Sequence, residues 1–376
     1  MFSELLLAIW SCAGLTWWFM AWRLVATADH RPEGLPPKTL TRRSLSIFKP
    51  LPPLGARGLE YVATGLESFL AQLDDDAELL LGIHEIDRAV AASFVDRMHQ
   101  RYPNAQIKVV YRCKTDDVAN PKIAWQKILA AEARGELWLW SDAEMIAPPG
   151  FLLAARADYE RSGLRMVTFP YVVREIPSPQ ALLDALFVNV EFYPGVLLLR
   201  KRGTVDFGLG AAMLFARSDF ELQVNCEELG SWLADDFILG QKLSPVQIGS
   251  ATLETRIEAS AWKEALLHQL RWNKTIRWNR PAGFAARILV LPVLGWLIFA
   301  LLNVTQAFGW IGLSIMMQVD VFFAAAICHR LGCRTKVWNL LGMEMWSLWR
   351  VGLWLACWVP WPVTWRGRLW WGPRWT

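Results

Sequence analysis

Two patterns of apolar residues alternate along this chain. The first is long and nearly uncharged: within residues 2–22 the single charge is Glu4, and Arg23 follows. About 20 such residues cross a bilayer, and the stretch lacks the basic start and small-residue cleavage site of a secretory signal, so it predicts an uncleaved anchor helix. Two further candidate spans lie near the C-terminus, residues 284–302 with Arg287 as their one charge and residues 310–328 with Asp320. A third stretch there, 337–361, contains Glu344 and Arg350, which predicts an interfacial or re-entrant helix pair rather than a clean span.

The second pattern fills the middle. Between a proline-rich linker (Pro32, Pro36, Pro37) and Pro281, short apolar runs at 45–48, 78–83, 107–111 and 137–140 alternate with helical stretches at 60–72, 90–101 and 122–134. This spacing predicts an α/β domain whose mostly parallel sheet is covered by helices on both faces. The block of about 240 residues is long enough for one substantial core. The organisation expected is an anchor at 1–25, a linker at 26–43, the α/β domain at 44–281, and membrane and interfacial helices with a basic tail at 282–376.

Composition strengthens the membrane reading. The chain is 54% hydrophobic and only 20% charged, and its 23 tryptophans are several times the usual share. Trp favours the membrane–water interface, where the ring is buried and its N–H stays wet. Arg31, Lys38, Arg42 and Arg43 follow the first apolar segment, the connection 303–309 is uncharged, and Arg330, Arg334 and Lys336 follow the next. Positive loops stay on the cytoplasmic side, which puts the central domain and the tail "WRGRLWWGPRWT" there. With a net charge of only +4 and no dense basic stripe, no nucleic-acid partner is expected. The six cysteines show no paired spacing, as in a reducing compartment, and Cys328, His329 and Cys333 lack the second half of a zinc cluster.

In a sheet of this kind, ligands bind beyond the carboxyl ends of the strands. Three polar segments occupy such positions: "HEIDR" after Ile83, "RCKTDD" after Tyr111 and "SDAEM" after Trp140. None carries a dinucleotide or P-loop glycine motif, so any phosphate must be neutralised in another way. Asp142 and Glu144 flank one small residue and together could hold magnesium or manganese against a diphosphate; alternatively Ser141 or Asp142 simply caps the turn toward Pro148 and Pro149. Asp235 and Asp236 open an apolar helical segment, where the helix dipole accounts for them, or one serves as a general base. In "HQLRWNKTIRWNRP", Arg271 and Trp272 recur as Arg277 and Trp278, either as an interfacial belt or as the wall of a phosphate site.

Taken in order, "SIFKPL", "NPKIAWQKIL", "WSDAEM", "FGLGAAMLFARSDF", "ADDFILG" and "HQLRWNKTIRWNRP" resemble the processive-type membrane glycosyltransferases. More narrowly they are similar to the ceramide glucosyltransferase group, including the glycosyltransferase of hopanoid-lipid biosynthesis. The resemblance covers roughly residues 44–281, and the flanking helices and the ending "WRGRLW" also fit.

The resemblance implies a GT-A fold, a UDP-sugar donor carrying glucose or N-acetylglucosamine, a membrane-lipid acceptor, and single-displacement inversion. The setting it implies is a bacterial-type inner membrane with the catalytic domain cytoplasmic. Carried over by position, Glu85 or Asp87 touches the nucleotide base and Lys122 lies near the donor. Asp142 and Glu144 hold a divalent metal, Mg or Mn. Asp236, with Asp235 beside it, deprotonates the lipid hydroxyl, and His268, Arg271 and Trp272 bind substrate. The family more often has Asp where Glu144 stands, and Gln or Arg in some members where His268 stands. Those substitutions leave a second expectation open, a catalytically weakened paralogue that scaffolds a lipid-biosynthesis complex.

Overall fold

The computed structural model describes residues 2–28, 43–54, 59–113, 118–257, 261–334, 338–365 and 367–374. The linker arginines and lysine up to Arg42, the "KTDD" of the second polar segment and Lys336 lie outside the described residues. By contact the chain divides into two units. A sheet unit comprises Asp29–Val172, Leu199–Arg256 and Arg374–Thr376, and a helical unit comprises Met1–Ala28, Val173–Leu198 and Ile257–Pro373.

In chain order, α1 (Phe2–Thr27) precedes β1 (Leu45–Pro50), α2 (Glu60–Leu70), β2 (Ala77–His84), α3 (Arg88–Arg101), β3 (Gln106–Arg112), α4 (Pro121–Ala130), β4 (Leu137–Ser141) and α5 (Phe151–Ser162). Next come β5 (Met166–Thr168), β6 (Tyr171–Val173), α6 (Pro179–Leu186), α7 (Tyr193–Arg202), β7 (Ala212–Ala216), α8 (Arg217–Gln223), α9 (Cys226–Leu229), α10 (Asp235–Lys242), β8 (Val246–Ile248) and β9 (Leu253–Thr255). The C-terminal part is α11 (Trp262–Asn279), α12 (Pro281–Ala286), α13 (Pro292–Leu302), α14 (Ala307–Arg330), α15 (Trp338–Ala356) and a hairpin of β10 (Val363–Trp365) and β11 (Arg368–Trp370). Every strand and helix expected between residues 45 and 140 forms.

The sheet unit is mixed α/β. Its main sheet has the order β3-β2-β1-β4-β7-β5-β8, parallel from β3 through β4 and reversed at β7. Successive side chains on a strand enter opposite faces, and here both faces are buried, which is why the strands read as unbroken apolar runs. Ile47, Leu79, Leu81 and Leu139 pack with Leu66 and Phe69 of α2, Phe94 of α3 and Phe151 of α5. Phe48, Leu80, Trp138, Trp140 and Phe215 pack on the other side with Ile123 of α4, Phe220 of α8 and Leu239 of α10. Chain order carries β2 and β3 to one side of β1 and β4 to the other, which makes the carboxyl ends of β1 and β4, at Pro50 and Ser141, the topological switch point of the sheet.

In the helical unit, three helical segments among the described residues are long and apolar enough to cross a membrane: Ser3–Thr27, Pro179–Arg202 and Ala307–Arg330. The second was not expected. It is mostly buried within the protein, and it passes from α6 through a π-helix, Phe187–Phe192, into α7. The span expected at 284–302 is broken instead, with a 63° bend between Pro281–Val290 and Pro292–Leu302. Pro292 lacks a backbone N–H and drives the preceding Leu291 out of the helical region (φ −117°, ψ 60°), so the helix restarts there. The stretch expected to form an interfacial or re-entrant helix pair contains α15, and of its two charges Arg350 turns inward: it pairs with Asp320 of α14 at 3.2 Å and with Glu191 of the π-helix at 3.2 Å. Asp320 also accepts from Trp18 Nε1 of α1 at 2.7 Å and from Ser347 Oγ of α15 at 2.6 Å.

Candidate active site

The site in the sheet unit is built at the carboxyl ends of β1 and β4. Lys49, fully buried at the end of β1, donates through Nζ to Ser141 Oγ at 3.0 Å and to the Asp142 carbonyl at 2.7 Å, and lies 3.8 Å from the centre of the Phe69 ring. Ser141 Oγ in turn donates to the Ala211 carbonyl at 2.8 Å. These bonds fix the backbone that carries Asp142 and Glu144. Helix α2 supports the same turn from behind, because a Cβ on Gly65 would meet the Ala143 carbonyl at 2.7 Å.

Lys122 enters from the first turn of α4. Asn120 caps that helix by accepting from the Lys122 and Ile123 amides, with Pro121 in the first turn, where its missing N–H costs nothing. The same Asn120 donates to Asp235 Oδ1 at 3.2 Å, so the start of α4 is tied to the start of α10. Lys122 Nζ then lies 2.7 Å from Asp142 Oδ1 and 3.8 Å from Asp235 Oδ2. Burial disfavours its ammonium, but Asp142, Asp235 and Asp236 outweigh that and hold its pKa above the ordinary lysine value.

Asp236 stands in the first turn of α10. Its Oδ2 accepts from the Gly210 amide at 2.9 Å and its Oδ1 from the Phe237 amide at 2.8 Å. Burial, followed by the charge of Asp235, pushes its pKa up to about 6, against the pull of Lys122 and the two amides. Glu144 is pushed up to about 7, first by burial and then by Asp142, with Lys49 and Lys122 opposing. Lys49 is brought down to about 7, mainly by burial, which Glu144 and Asp142 offset only in part.

The glycines of "FGLG" and "ADDFILG" explain each other. A Cβ on Gly240 would sit 2.1 Å from the Gly208 nitrogen, and that nitrogen donates to the Asp236 carbonyl at 3.1 Å. Gly240→Ala is therefore expected to cost about 1–3 kcal/mol by overpacking. The check is thermal unfolding beside the parent; an unchanged midpoint would show that α10 can move off this backbone freely.

Lys122, Asp142, Glu144, Asp235 and Asp236 thus come together, with Lys49, Asn120, Ser141 and Gly210 as partners that the sequence reading leaves unassigned. Glu85 and Asp87 make other contacts. Asp87 is buried and accepts from the Leu54 amide at 3.0 Å, and Glu85 is held by Arg88 at 2.5 Å on the surface. His268, Arg271 and Trp272 belong to the helical unit, on α11. There His268 Nδ1 lies 2.9 Å from Asp184 Oδ2, its ring centre is 4.2 Å from that of Trp272, and Trp272 packs on Phe187 at 5.4 Å. The second copy of the repeat serves the hairpin side of α11, with Lys274 Nζ donating to the Val359 and Trp361 carbonyls and Arg277 over the Trp358 ring at 5.5 Å.

Among the described residues no group of three or more His, Cys, Asp or Glu could hold a metal ion unaided. Two carboxylates fit a different arrangement, because magnesium is commonly held by one or two carboxylates together with substrate phosphates and water. Glu144 is raised first by burial and then by repulsion from Asp142, and the second of these makes added positive charge between the two carboxylates favourable.

Strand order, with carboxylates and lysines gathered at the carboxyl ends of β1 and β4 and at the start of α10, fits a GT-A-type fold. The chain belongs to glycosyl transferase family 21, whose profile matches residues 5–371. No curated protein matches the sequence. Solved structures that it resembles include the mannosyltransferase PcManGT from Pyrobaculum calidifontis in complex with GDP-Man and Mn2+, with a TM-score of 0.49, 15% identity, and coverage of 94% of this chain and 96% of that one. Another is S. aureus TarS 1–349 in complex with UDP-GlcNAc, with a TM-score of 0.39, 10% identity, and coverage of 87% and 95%. Overlays this loose carry no residue correspondence.

Proposed function

We propose that this protein moves glucose or N-acetylglucosamine from a UDP-sugar to the hydroxyl of a membrane lipid, ceramide-like or hopanoid-like, with inversion at the anomeric carbon. The observation that carries the reading is that Asp236, a carboxylate raised to about 6 at a helix N-terminus, lies within the electrostatic influence of the cation Lys122, which itself pairs with Asp142. A base so tuned is ionised near neutrality and still basic enough to take a proton from a hydroxyl. The lipid oxygen attacks the anomeric carbon, its proton passes to Asp236, and the bond to the diphosphate oxygen breaks with its electron pair leaving on the diphosphate. Lys122 supplies positive charge, and Asp235 keeps the Asp236 carboxylate basic.

Asp142 and Glu144 are the residues that would hold a divalent ion, Mg or Mn, which when bound neutralises developing charge on a diphosphate. Lys49 and Ser141 fix the backbone beneath them. Glu85 and Asp87 remain assigned to the nucleotide-base end, and His268, Arg271 and Trp272 to substrate binding, by the family motif. The apolar helices support an integral membrane enzyme that meets its acceptor in the bilayer. Basic residues beyond the first and later helices support a cytoplasmic catalytic domain at a bacterial-type inner membrane.

The test is to incubate membranes containing the protein with a panel of radiolabelled UDP-sugars and identify labelled lipid by mass spectrometry. Label from one UDP-sugar in a hydroxyl-bearing lipid is expected. No label in any lipid would overturn the reading in favour of a scaffolding paralogue.

A further inference from the structure

The helical unit holds a buried carboxylate that the mechanism above does not use. Asp184, 7% exposed on α6, shares its two oxygens between neighbours on α11: Oδ2 lies 2.9 Å from His268 Nδ1, and Oδ1 accepts from Gln269 Nε2. The roles in this contact depend on the imidazole tautomer: where Nδ1 carries the hydrogen and donates to Asp184, a neutral ring has its acceptor lone pair on Nε2. Among the described residues Nε2 has no hydrogen-bond partner, and the His268 side chain is one-third exposed (33%).

The ring cannot turn freely. Trp272, one helical turn along, packs against it with ring centres 4.2 Å apart and planes tilted by 49°, and is itself backed by Phe187 at 5.4 Å. Phe187 opens the π-helix that follows α6, a helix distortion concentrated at functional sites. A buried carboxylate, a partly exposed imidazole and an aromatic neighbour come together here.

We propose that Asp184 is a positioning residue that fixes His268 in the Nδ1–H tautomer, and that His268 Nε2 receives a hydroxyl of bound substrate. The hydroxyl belongs either to the acceptor lipid or to the donor sugar ring. This deepens the assignment of His268 to substrate binding and rests on it.

The experiment uses the full-length protein in lipid nanodiscs with 15N-labelled histidine. The chain has 5 histidines, so the His268 signals are identified by their loss in His268→Gln. Parent protein should show His268 protonated at Nδ1 and not at Nε2, and Asp184→Asn should disturb that state. N-hexanoyl ceramide and UDP-glucose are then added separately. A shift of Nε2 with the ceramide assigns the acceptor hydroxyl, and a shift with UDP-glucose assigns a sugar hydroxyl. No shift with either, or an Nε2–H tautomer in the parent, overturns the proposal.

Affinity for the probe that moves Nε2 separates positioning from packing. Asp184→Asn should weaken it about tenfold, the worth of one good hydrogen bond. In a His268→Gln background the same substitution should add nothing, because glutamine has no tautomer to fix. An equal penalty in both backgrounds would mean that Asp184 only holds α6 to α11 through Gln269. Should Asp184→Asn not fold, Asp184→Glu keeps the carboxylate and is expected to keep the parent tautomer; the opposite tautomer there also overturns the proposal. These are tautomer and binding readouts, so an absence of sugar transfer in the panel assay would leave them standing.

Discussion

Asp236→Asn is expected to leave donor binding intact and to lower the turnover of sugar transfer by about 10²–10⁴-fold, the usual worth of a general base. Only the step that needs a proton acceptor is lost, so the KM for the UDP-sugar should stay near the parent value while kcat falls. The asparagine oxygen accepts one hydrogen bond where the carboxylate accepts two, from Gly210 and Phe237. That costs about 1 kcal/mol of stability, and thermal unfolding of the same preparation separates it from the catalytic loss. In the parent enzyme, transfer should rise as pH climbs through about 6, because only the ionised Asp236 takes a proton. Lys122 pulls that value down, so Lys122→Met should move the rising limb to higher pH. Transfer at the parent rate by Asp236→Asn would remove Asp236 from the role of base.

The frame of this fold could be read residue by residue, because burial on both faces of a parallel sheet writes itself as apolar runs bounded by polar turns. The positions just beyond those runs led to Asp142 and Glu144, and a doubled carboxylate opening an apolar segment led to Asp235 and Asp236. Lys49 was not legible. A lysine closing the run Leu45–Pro50 looks like an ordinary solvated end, and its role depends on Ser141 and Asp142, which become neighbours only when β1 pairs with β4. Asn120 is a plain helix cap in the sequence, and its second bond, to Asp235, is again a long-range product of folding.

The helices were harder to read, for a physical reason. Hydropathy counts apolar residues and ignores where a helix can continue, so residues 284–302 gave one expected span although Pro292 breaks it. Pro179–Arg202 was absorbed into the alternating middle block, since a run of that composition fits a buried core helix as well as a span. The charges of Arg350 and Asp320 were visible, but not their pairing.

That pairing carries the largest stability effect expected. Arg350→Met should destabilise the protein by about 3–5 kcal/mol, measured by thermal unfolding in detergent, because it strips the cation from a buried carboxylate, Asp320, and a partly buried one, Glu191. Glu191 keeps Arg287, whereas among the described residues Asp320 keeps the Trp18 and Ser347 donors and no cation. The worst consequence therefore falls on Asp320, and Asp320→Asn added to Arg350→Met should recover part of the loss by removing the uncompensated charge. A single variant as stable as the parent would mean that the network contributes nothing. Between apolar helices in lipid there is little hydrophobic preference for one register over another. An ion pair with fixed donors from α1 and α15 supplies that preference, so Arg350→Met should also make α14 accessible to cysteine-directed reagents at Cys328, which is fully buried in the parent.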